Sequence, residues 1–310
     1  MAEKTIGILL MAYGAASSLD EIEPYLKDIR GGRQTSPELV EEVKERYRLM
    51  GGRSPLLEIT HQQAQALEEA LNKANGPRFR VYVGMRHWHP YIKETVDVIK
   101  KDGIHRLVAL CLTPYYSKMS VGAYFKKLEE AQEEFGAKFK ISRVDSWNDH
   151  PFLIQAIAEK VEQALSKFPE TARKKVPILF TAHSLPARIV EEKDPYPQEL
   201  LETVEVVIKK IGHVPYRFAY QSQGRTPEPW LGPEAGSVIN ELYDGGHRYL
   251  LMAPIGFISD HMETLYDVDI LYRQQATTKG MRFERVESLN ASPLFISAMA
   301  DVVLKNLPGS

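Results

Sequence analysis

Three carboxylates stand at positions 260, 263 and 267 of the segment FISDHMETLYD, residues 257–267. Spacings of three and four bring Asp260, Glu263 and Asp267 onto one face of a helix. Like charges so placed cost an isolated helix about 0.2–0.5 kcal/mol per pair, so a compensating cation is expected, and a divalent metal ion is the natural candidate. The competing expectation is a capping box, with Asp260 as N-cap and Glu263 as its reciprocal partner. Against it, Asp267 continues the stripe past the first turn, and His261 and Tyr266 crowd polar groups into the same two turns. A second metal-capable element is TAHSLP, residues 181–186, which carries His183. A lone histidine at a strand end is ordinarily a hydrogen-bonded rim residue. Neutral imidazole together with carboxylate nevertheless suits ferrous or zinc ions.

Both elements fall where an open α/β sheet binds its ligands. Residues 249–253 read as a buried strand stopped by Pro254 and Gly256, so the acidic helix opens at a strand's C-terminal end. Residues 176–182 form another apolar run, and it delivers His183. Along the chain, runs at 6–11, 79–84, 106–112, 139–144, 176–182, 216–220, 249–253 and 283–286 read as strands, most too apolar on both faces to meet solvent. The stretches between them are amphipathic and have helix ends: Ser18 and Glu21 as a capping box, and Ser36 before Pro37 as an N-cap. Alternation of this kind predicts an α/β fold with parallel sheets and right-handed crossovers.

An internal echo sets the domain count. DGIHR at 102–106 recurs as DGGHR at 244–248, and RVDSWN at 143–148 as RVESLN at 285–290; Pro151 and Ala156 match Pro293 and Ala298 at the same offset. A repeat this long is a duplicated domain, not a solenoid. We expect two similar Rossmann-like domains, 1–147 and 148–310, each a parallel sheet flanked by helices, with the cleft between them as the ligand site. The helices starting at Pro151 and Pro293 are candidates to cross between halves, the last one packing back on the first domain. No GxGxxG follows a strand, which argues against a nucleotide.

Hydrophobic content of 44% and charged content of 26% over 310 residues are those of an ordinary globular protein, and a net charge of −2 argues against a nucleic-acid partner. The one cysteine, Cys111, sits in an apolar run and reads as a core residue; alone it can neither close an intramolecular disulfide nor ligate an iron–sulfur cluster. The apolar stretch 5–12 is too short for a secretory segment, and nothing approaches a membrane span of about 18 residues. The chain reads as cytoplasmic, without membrane insertion.

Cations gather in the first half. Arg30 and Arg33 flank a Gly-Gly pair, and Arg46, Arg48 and Arg53 follow. Basic residues usually form a solvated face, but Arg46 adjoins Tyr47 and lies near the turn GGRSP at 51–55. Arginine grips carboxylates bidentately, and Ser and Tyr hydroxyls add neutral donors, so an anionic ligand is expected there. Trp88 and Trp230 are apolar enough to shape a slot for a flat ligand, although the Pro-rich loop 227–233 reads equally as a rigid turn around a structural Trp.

Four motifs in order, MAYG (11–14), GGRSPL (51–56), TAHSLP (181–186) and GFISDHMETLYD (256–267), resemble the ferrochelatase family. The likeness runs along essentially the whole chain and is strongest to the Gram-positive branch that metallates coproporphyrin III. It implies a chelatase-like fold and an enzyme of haem biosynthesis that inserts Fe²⁺ into a porphyrin, coproporphyrin III to coproheme ahead of protoporphyrin IX to protoheme. The small, polar segments 15–20 and 31–36 stand where protoporphyrin-using members often carry a greasy lip. By resemblance, His183 is the base or first metal ligand, Glu263 its charge partner or proton shuttle, and Asp267 an outer metal ligand. Arg30, Arg46, Tyr47, Ser54 and Tyr124 match positions that hold porphyrin propionates. Tyr13 matches the residue that meets the metal from the face opposite His183, and His87 a position near the porphyrin. The family mechanism bends the macrocycle, a strain of about 1–5 kcal/mol drawn from remote contacts, so that two protons leave as iron enters. Iron is thus a substrate; no cofactor and no iron–sulfur cluster is implied. Leu271 stands where some relatives have an acid, which speaks against a second, magnesium-like site. Transient contact with neighbouring haem-pathway enzymes is a further expectation. A cobalt chelatase for sirohydrochlorin would share the fold but show more ligand histidines. A solute-binding protein or haem carrier would have no use for the acidic face.

Overall fold

The structure, a computed structural model, describes residues 5–73, 76–212 and 214–308. It divides into two units, Met1–Trp147 with Asn290–Ser310, and Asn148–Leu289.

The first unit runs β1 (Ile6–Ala12), α1 (Ile22–Ile29), α2 (Pro37–Leu49), α3 (Leu56–Leu71), β2 (Phe79–Met85), α4 (Ile92–Lys101), β3 (Arg106–Cys111), α5 (Val121–Phe135) and β4 (Lys140–Val144). Its strands are parallel in the order β2-β1-β3-β4. Every residue of β1 is buried, as a central strand covered on both faces requires. Leu9, Met11, Leu107 and Ala109 pack with Ile92 and Val96 of α4 and Phe125 and Leu128 of α5. Full burial of such a leucine or phenylalanine contributes about 1.5–3 kcal/mol. Ser36 caps α2 by accepting from the Leu39 amide, with Pro37 at the first helical position. The box expected at Ser18 does not form. Helix α1 starts at Ile22, and the Glu21 carboxylate accepts instead from the Ser17 amide at 2.6 Å and the Trp88 indole at 2.9 Å.

The second unit runs α6 (Pro151–Leu165), β5 (Ile178–His183), α7 (Arg188–Glu191), α8 (Tyr196–Ile211), β6 (Tyr216–Gln221), α9 (Ala235–Asp244), β7 (Tyr249–Ala253), a π-helix (Glu263–Tyr272), α10 (Arg273–Thr278) and β8 (Arg282–Arg285). The sheet is again parallel, in the order β6-β5-β7-β8. Its core joins Leu179, Val238, Ile239, Leu250, Met252 and Phe283 to Val268 of the π-helix. All eight strands lie within two residues of the apolar runs in the sequence.

The same strand order places the echoed segments at equivalent points: 102–106 and 244–248 close α4 and α9 and lead into β3 and β7, while 143–148 and 285–290 leave β4 and β8. The helix after each fourth strand is exchanged. Helix α6 packs on α8 in the second unit, whereas the last helix, α11 (Pro293–Lys305), packs on α3 in the first. Gln63 donates to the Asn290 carbonyl at 2.9 Å, and Trp147 stacks on Phe295. The second unit therefore closes at Leu289 and not at the chain end. Among the described residues, no helix is long and apolar enough to cross a membrane.

Candidate active site

β5 is buried along its length until His183, whose side chain is 33% exposed. The Tyr196 hydroxyl donates to the His183 carbonyl at 3.0 Å. The imidazole Nδ1 lies against the Ser184 carbonyl. A carbonyl only accepts, so Nδ1 carries a proton in either charge state and Nε2 is the atom that gains or loses one. Nε2 is 3.4 Å from Glu263 Oε1. The loop after β7 lies close against this strand end: the Gly256 amide donates to Thr181 at 3.1 Å, and a Cβ on Gly256 would stand 2.6 Å from the Ala182 Cβ. Only glycine allows that approach. It carries Phe257 in edge contact with His183 and tilted against His261.

Glu263 Oε2 is buried and has no hydrogen-bond partner, with His261 Nε2 3.8 Å away. An unsatisfied buried carboxylate oxygen costs stability and presents a lone pair to an incoming cation. Burial alone would raise the Glu263 carboxyl; the His183 and His261 imidazoles outweigh it and hold it far below the usual range. Burial presses His183 down, but the Glu263 carboxylate and the Ser184 carbonyl prevail and push it up to about 8. At neutral pH the pair is carboxylate and imidazolium. Deprotonated, it offers one nitrogen and one oxygen side by side, a donor set suited to a borderline cation.

The acidic stripe differs from the regular helix expected. Residues Glu263–Tyr272 wind as a π-helix, a form frequent at functional sites, with Thr264 and Val268 buried. Met262, not Asp260, precedes the first turn, so the capping-box reading fails. Asp260 needs no metal to balance it. Arg285 Nη1 lies 3.0 Å from its Oδ1, which also accepts from Ser288 at 2.8 Å. Asp267 accepts from the Ser222 hydroxyl at 2.5 Å, and Ser222 has the left-handed φ of 56°. Among the described residues no three His, Cys, Asp or Glu side chains converge as a metal set, and Asp267 is engaged by Ser222. The residues that sequence reasoning passed over are Gln221, Ser222 and Arg285. Gln221 is fully buried, accepts from Thr181 at 2.7 Å and donates to the Glu263 carbonyl at 3.2 Å, fixing the first turn of the π-helix.

In the first unit, Tyr13 follows β1 with its ring 44% exposed and 4.7 Å from that of His87. Asp28 bonds His87 Nδ1 at 2.9 Å, yet burial and Arg86 keep the imidazole below its ordinary value. Arg30, at the end of α1, is exposed, and among the described residues its guanidinium has no carboxylate partner. The other expectations meet a different setting. Arg46 is paired with Glu42 at 2.6 Å, one turn back on α2. Tyr47 is 1% exposed, with its hydroxyl on the Ala16 backbone and its pKa pushed up by burial to about 12. Ser54 is buried and its hydroxyl accepts from the Leu56 amide at the start of α3 at 3.3 Å, and Tyr124 is buried on α5 beneath Arg86. These three side chains serve packing and local hydrogen bonding here and present little surface to a ligand.

Two parallel-sheet units with a histidine–glutamate pair at the sheet end define a chelatase-type α/β protein. Among solved structures, SirB from Bacillus subtilis with Fe³⁺ superimposes with a TM-score of 0.60 at 11% identity, covering 98% of this chain and 95% of that one, a likeness of fold. The ferrochelatase family model matches residues 5–307. The chain is 41% identical over 303 residues to the ferrochelatase of Herpetosiphon aurantiacus, covering 98% of this chain and 99% of the relative. It is 41% identical over 307 residues to the coproporphyrin III ferrochelatase of Geobacillus kaustophilus, covering 98% and 97%. The chain belongs to the ferrochelatase family, enzymes whose substrates are a porphyrin and iron.

Proposed function

We propose that this ferrochelatase takes coproporphyrin III and returns coproheme, with His183 and Glu263 as the residues that pass the metal in and the protons out. The observation that carries the residue assignment is the buried, unsatisfied Oε2 of Glu263, on a carboxylate whose other oxygen, Oε1, lies 3.4 Å from His183 Nε2. Insertion exchanges two pyrrole protons for one Fe²⁺. Nε2 of neutral His183, one-third exposed, accepts the two protons in turn, passing the first to solvent before it takes the second; Glu263 balances the imidazolium formed each time, and the carboxylate oxygen meets the cation. Two strong protein donors suit transient delivery, since a closed structural site uses about four. Asp267, one turn along the π-helix, is assigned an outer role in attracting the cation through its charge. Tyr13, Arg30, Arg46 and His87 are proposed to meet the porphyrin, with Tyr47, Ser54 and Tyr124 in the layer beneath them. Arg30 and Tyr13 are the exposed members and the first points of contact; Arg46 joins by exchanging Glu42 for a propionate, and the buried tyrosines and Ser54 hold the backbone beneath.

Support for coproporphyrin III comes from relatives bearing that name at about 40% identity over the full length and from the small, polar segments 15–20 and 31–36. The proposal needs no resident cofactor. It sets the enzyme in the cytoplasm, in transient contact with neighbouring haem-pathway enzymes; a chain with one cysteine fits a reducing compartment. The test is anaerobic incubation of the pure protein with Fe²⁺ and either porphyrin, followed at the Soret band in detergent-free buffer. A higher kcat/KM for coproporphyrin III is expected. An equal or reversed ratio removes the substrate assignment and leaves the family unchanged.

A further inference from the structure

The π-helix and the loop before it bring four carboxylates together, Asp260, Glu263, Asp267 and Asp269, and two of them converge on one side chain. Arg285, the last residue of β8 and only 11% exposed, places Nη1 3.0 Å from Asp260 Oδ1 and Nε 2.9 Å from Asp269 Oδ1. Ser288 donates to the same oxygen of Asp260 at 2.8 Å. Arg273 adds a longer contact to Asp269 at 3.4 Å. The two aspartates bracket Glu263, three residues before it and six after. With Asp260 and Asp269 drawn to β8, Glu263 and Asp267 are left on another side of the winding, Glu263 toward His183 and Asp267 toward Ser222.

The duplication supplies a comparison within the chain. Arg143 holds the echoed position at the end of β4. There it makes an exposed pair with Glu129 of α5, a regular α-helix, and lies over the Phe125 ring. In the half that carries His183, the same position is only 11% exposed and grips two aspartates. We propose that Arg285 is a positioning residue for iron insertion: by holding Asp260 and Asp269 with one planar fork it fixes the π-wound segment so that Glu263 faces His183.

This rests on the reading of His183 and Glu263 as the insertion pair, so Glu263→Gln is measured alongside. The probes are Zn²⁺ insertion into coproporphyrin III, porphyrin affinity by fluorescence quenching, and the thermal midpoint, with assays run well below that midpoint. Arg285→Lys keeps the charge, but one ammonium cannot reproduce a fork that spans two carboxylates. We expect kcat to fall at least tenfold, with the porphyrin KM and Kd within twofold of wild type. Asp269→Asn, which leaves the Asp260 pair in place, should show the same split at about threefold or more. It decides the matter if the lysine variant does not fold. A purely structural arginine would lower the thermal midpoint and leave kcat within twofold, and that result in both variants overturns the proposal. A parallel loss of kcat and porphyrin affinity also overturns it, because the effect would not run through Glu263. If Glu263→Gln is inactive while both clamp variants are normal, only the positioning role fails; if Glu263→Gln turns over at the wild-type rate, the parent reading fails.

Discussion

Replacing Glu263 by glutamine separates two accounts of the pair, because they predict opposite signs. The substitution keeps the shape and one carbonyl oxygen and removes the charge that holds His183 up at about 8. Without that charge the imidazole returns to its ordinary 6.5 or lower, since burial presses it down. At pH 7, the neutral fraction of His183 then rises from about one tenth to about three quarters. If the imidazole alone accepted the pyrrole protons, Glu263→Gln would be several-fold faster than wild type at that pH. If the pair acts as a unit, the variant loses both the counter-charge of the imidazolium and the oxygen that meets the cation. A loss of about 10²–10⁴ in kcat is then expected, about 3–5 kcal/mol in the barrier. The assay is metal insertion followed at the Soret band at pH 7, with the His183 titration read by NMR in the metal-free protein. Porphyrin affinity should stay the same. A kcat within about fivefold of wild type, with His183 titrating near 6.5, would refute the paired mechanism.

The pH profile follows from the same pair. Insertion, which needs neutral His183, should be half-maximal near pH 8 and fall about tenfold per unit below it, and His183→Ala should leave porphyrin binding intact with insertion abolished. For stability, a raised histidine stabilises fully below 6.5 and ceases to as pH rises through about 8, whereas the held-down Glu263 stabilises only above the ordinary 4.5. The thermal midpoint should therefore be higher at pH 6 than at pH 9, and His183→Ala should flatten that difference. On the porphyrin side, Arg30→Ala should weaken binding by about 1.5–3 kcal/mol, the worth of a hydrogen bond to a charged group. Arg46→Ala should cost less, because wild-type Arg46 must first leave Glu42; Glu42→Gln should tighten binding, and an unchanged Kd in all three variants would make the cations a solvated face.

The strands were legible because parallel strands covered on both faces are apolar without alternation, a signal that survives without any tertiary context. The duplication was legible in the echoed segments, and with it the shared strand order. His183 and Glu263 were legible as candidates through residue chemistry at two strand ends, and the structure brings them within 3.4 Å of each other. What the sequence hides is the partner of each charge. Arg285 lies 16 residues from Asp269 and 25 from Asp260, so the stripe looked uncompensated when read one helix at a time. The π winding is hidden for a similar reason. Nothing in the local spacing distinguishes it from an α-helix, and what favours it is tertiary: Val268 packed in the core, Gln221 on the Glu263 carbonyl and Arg285 on either side. Tyr47 and Tyr124 show the converse limit. A tyrosine beside an arginine reads as a ligand contact, yet its ring can equally fill a core, and only burial distinguishes the two.

The echoed halves differ at the points where the proposed metal path is placed. Both present a strand end after β1 or β5, and both place an arginine at the end of the fourth strand. In the first half the residue after β1 is Tyr13, set against His87, whose imidazole is held low by burial and Arg86. In the second, β5 ends in His183, whose imidazole is held high by a carboxylate 3.4 Å away. A neutral, low-pKa imidazole beside a phenol suits contact with a neutral ring. An imidazole poised near 8 beside a carboxylate with one buried, unsatisfied oxygen suits an exchange of protons for a cation. The fold supplies the same frame twice, and the difference in chemistry follows from which half carries the carboxylate-bearing π-helix.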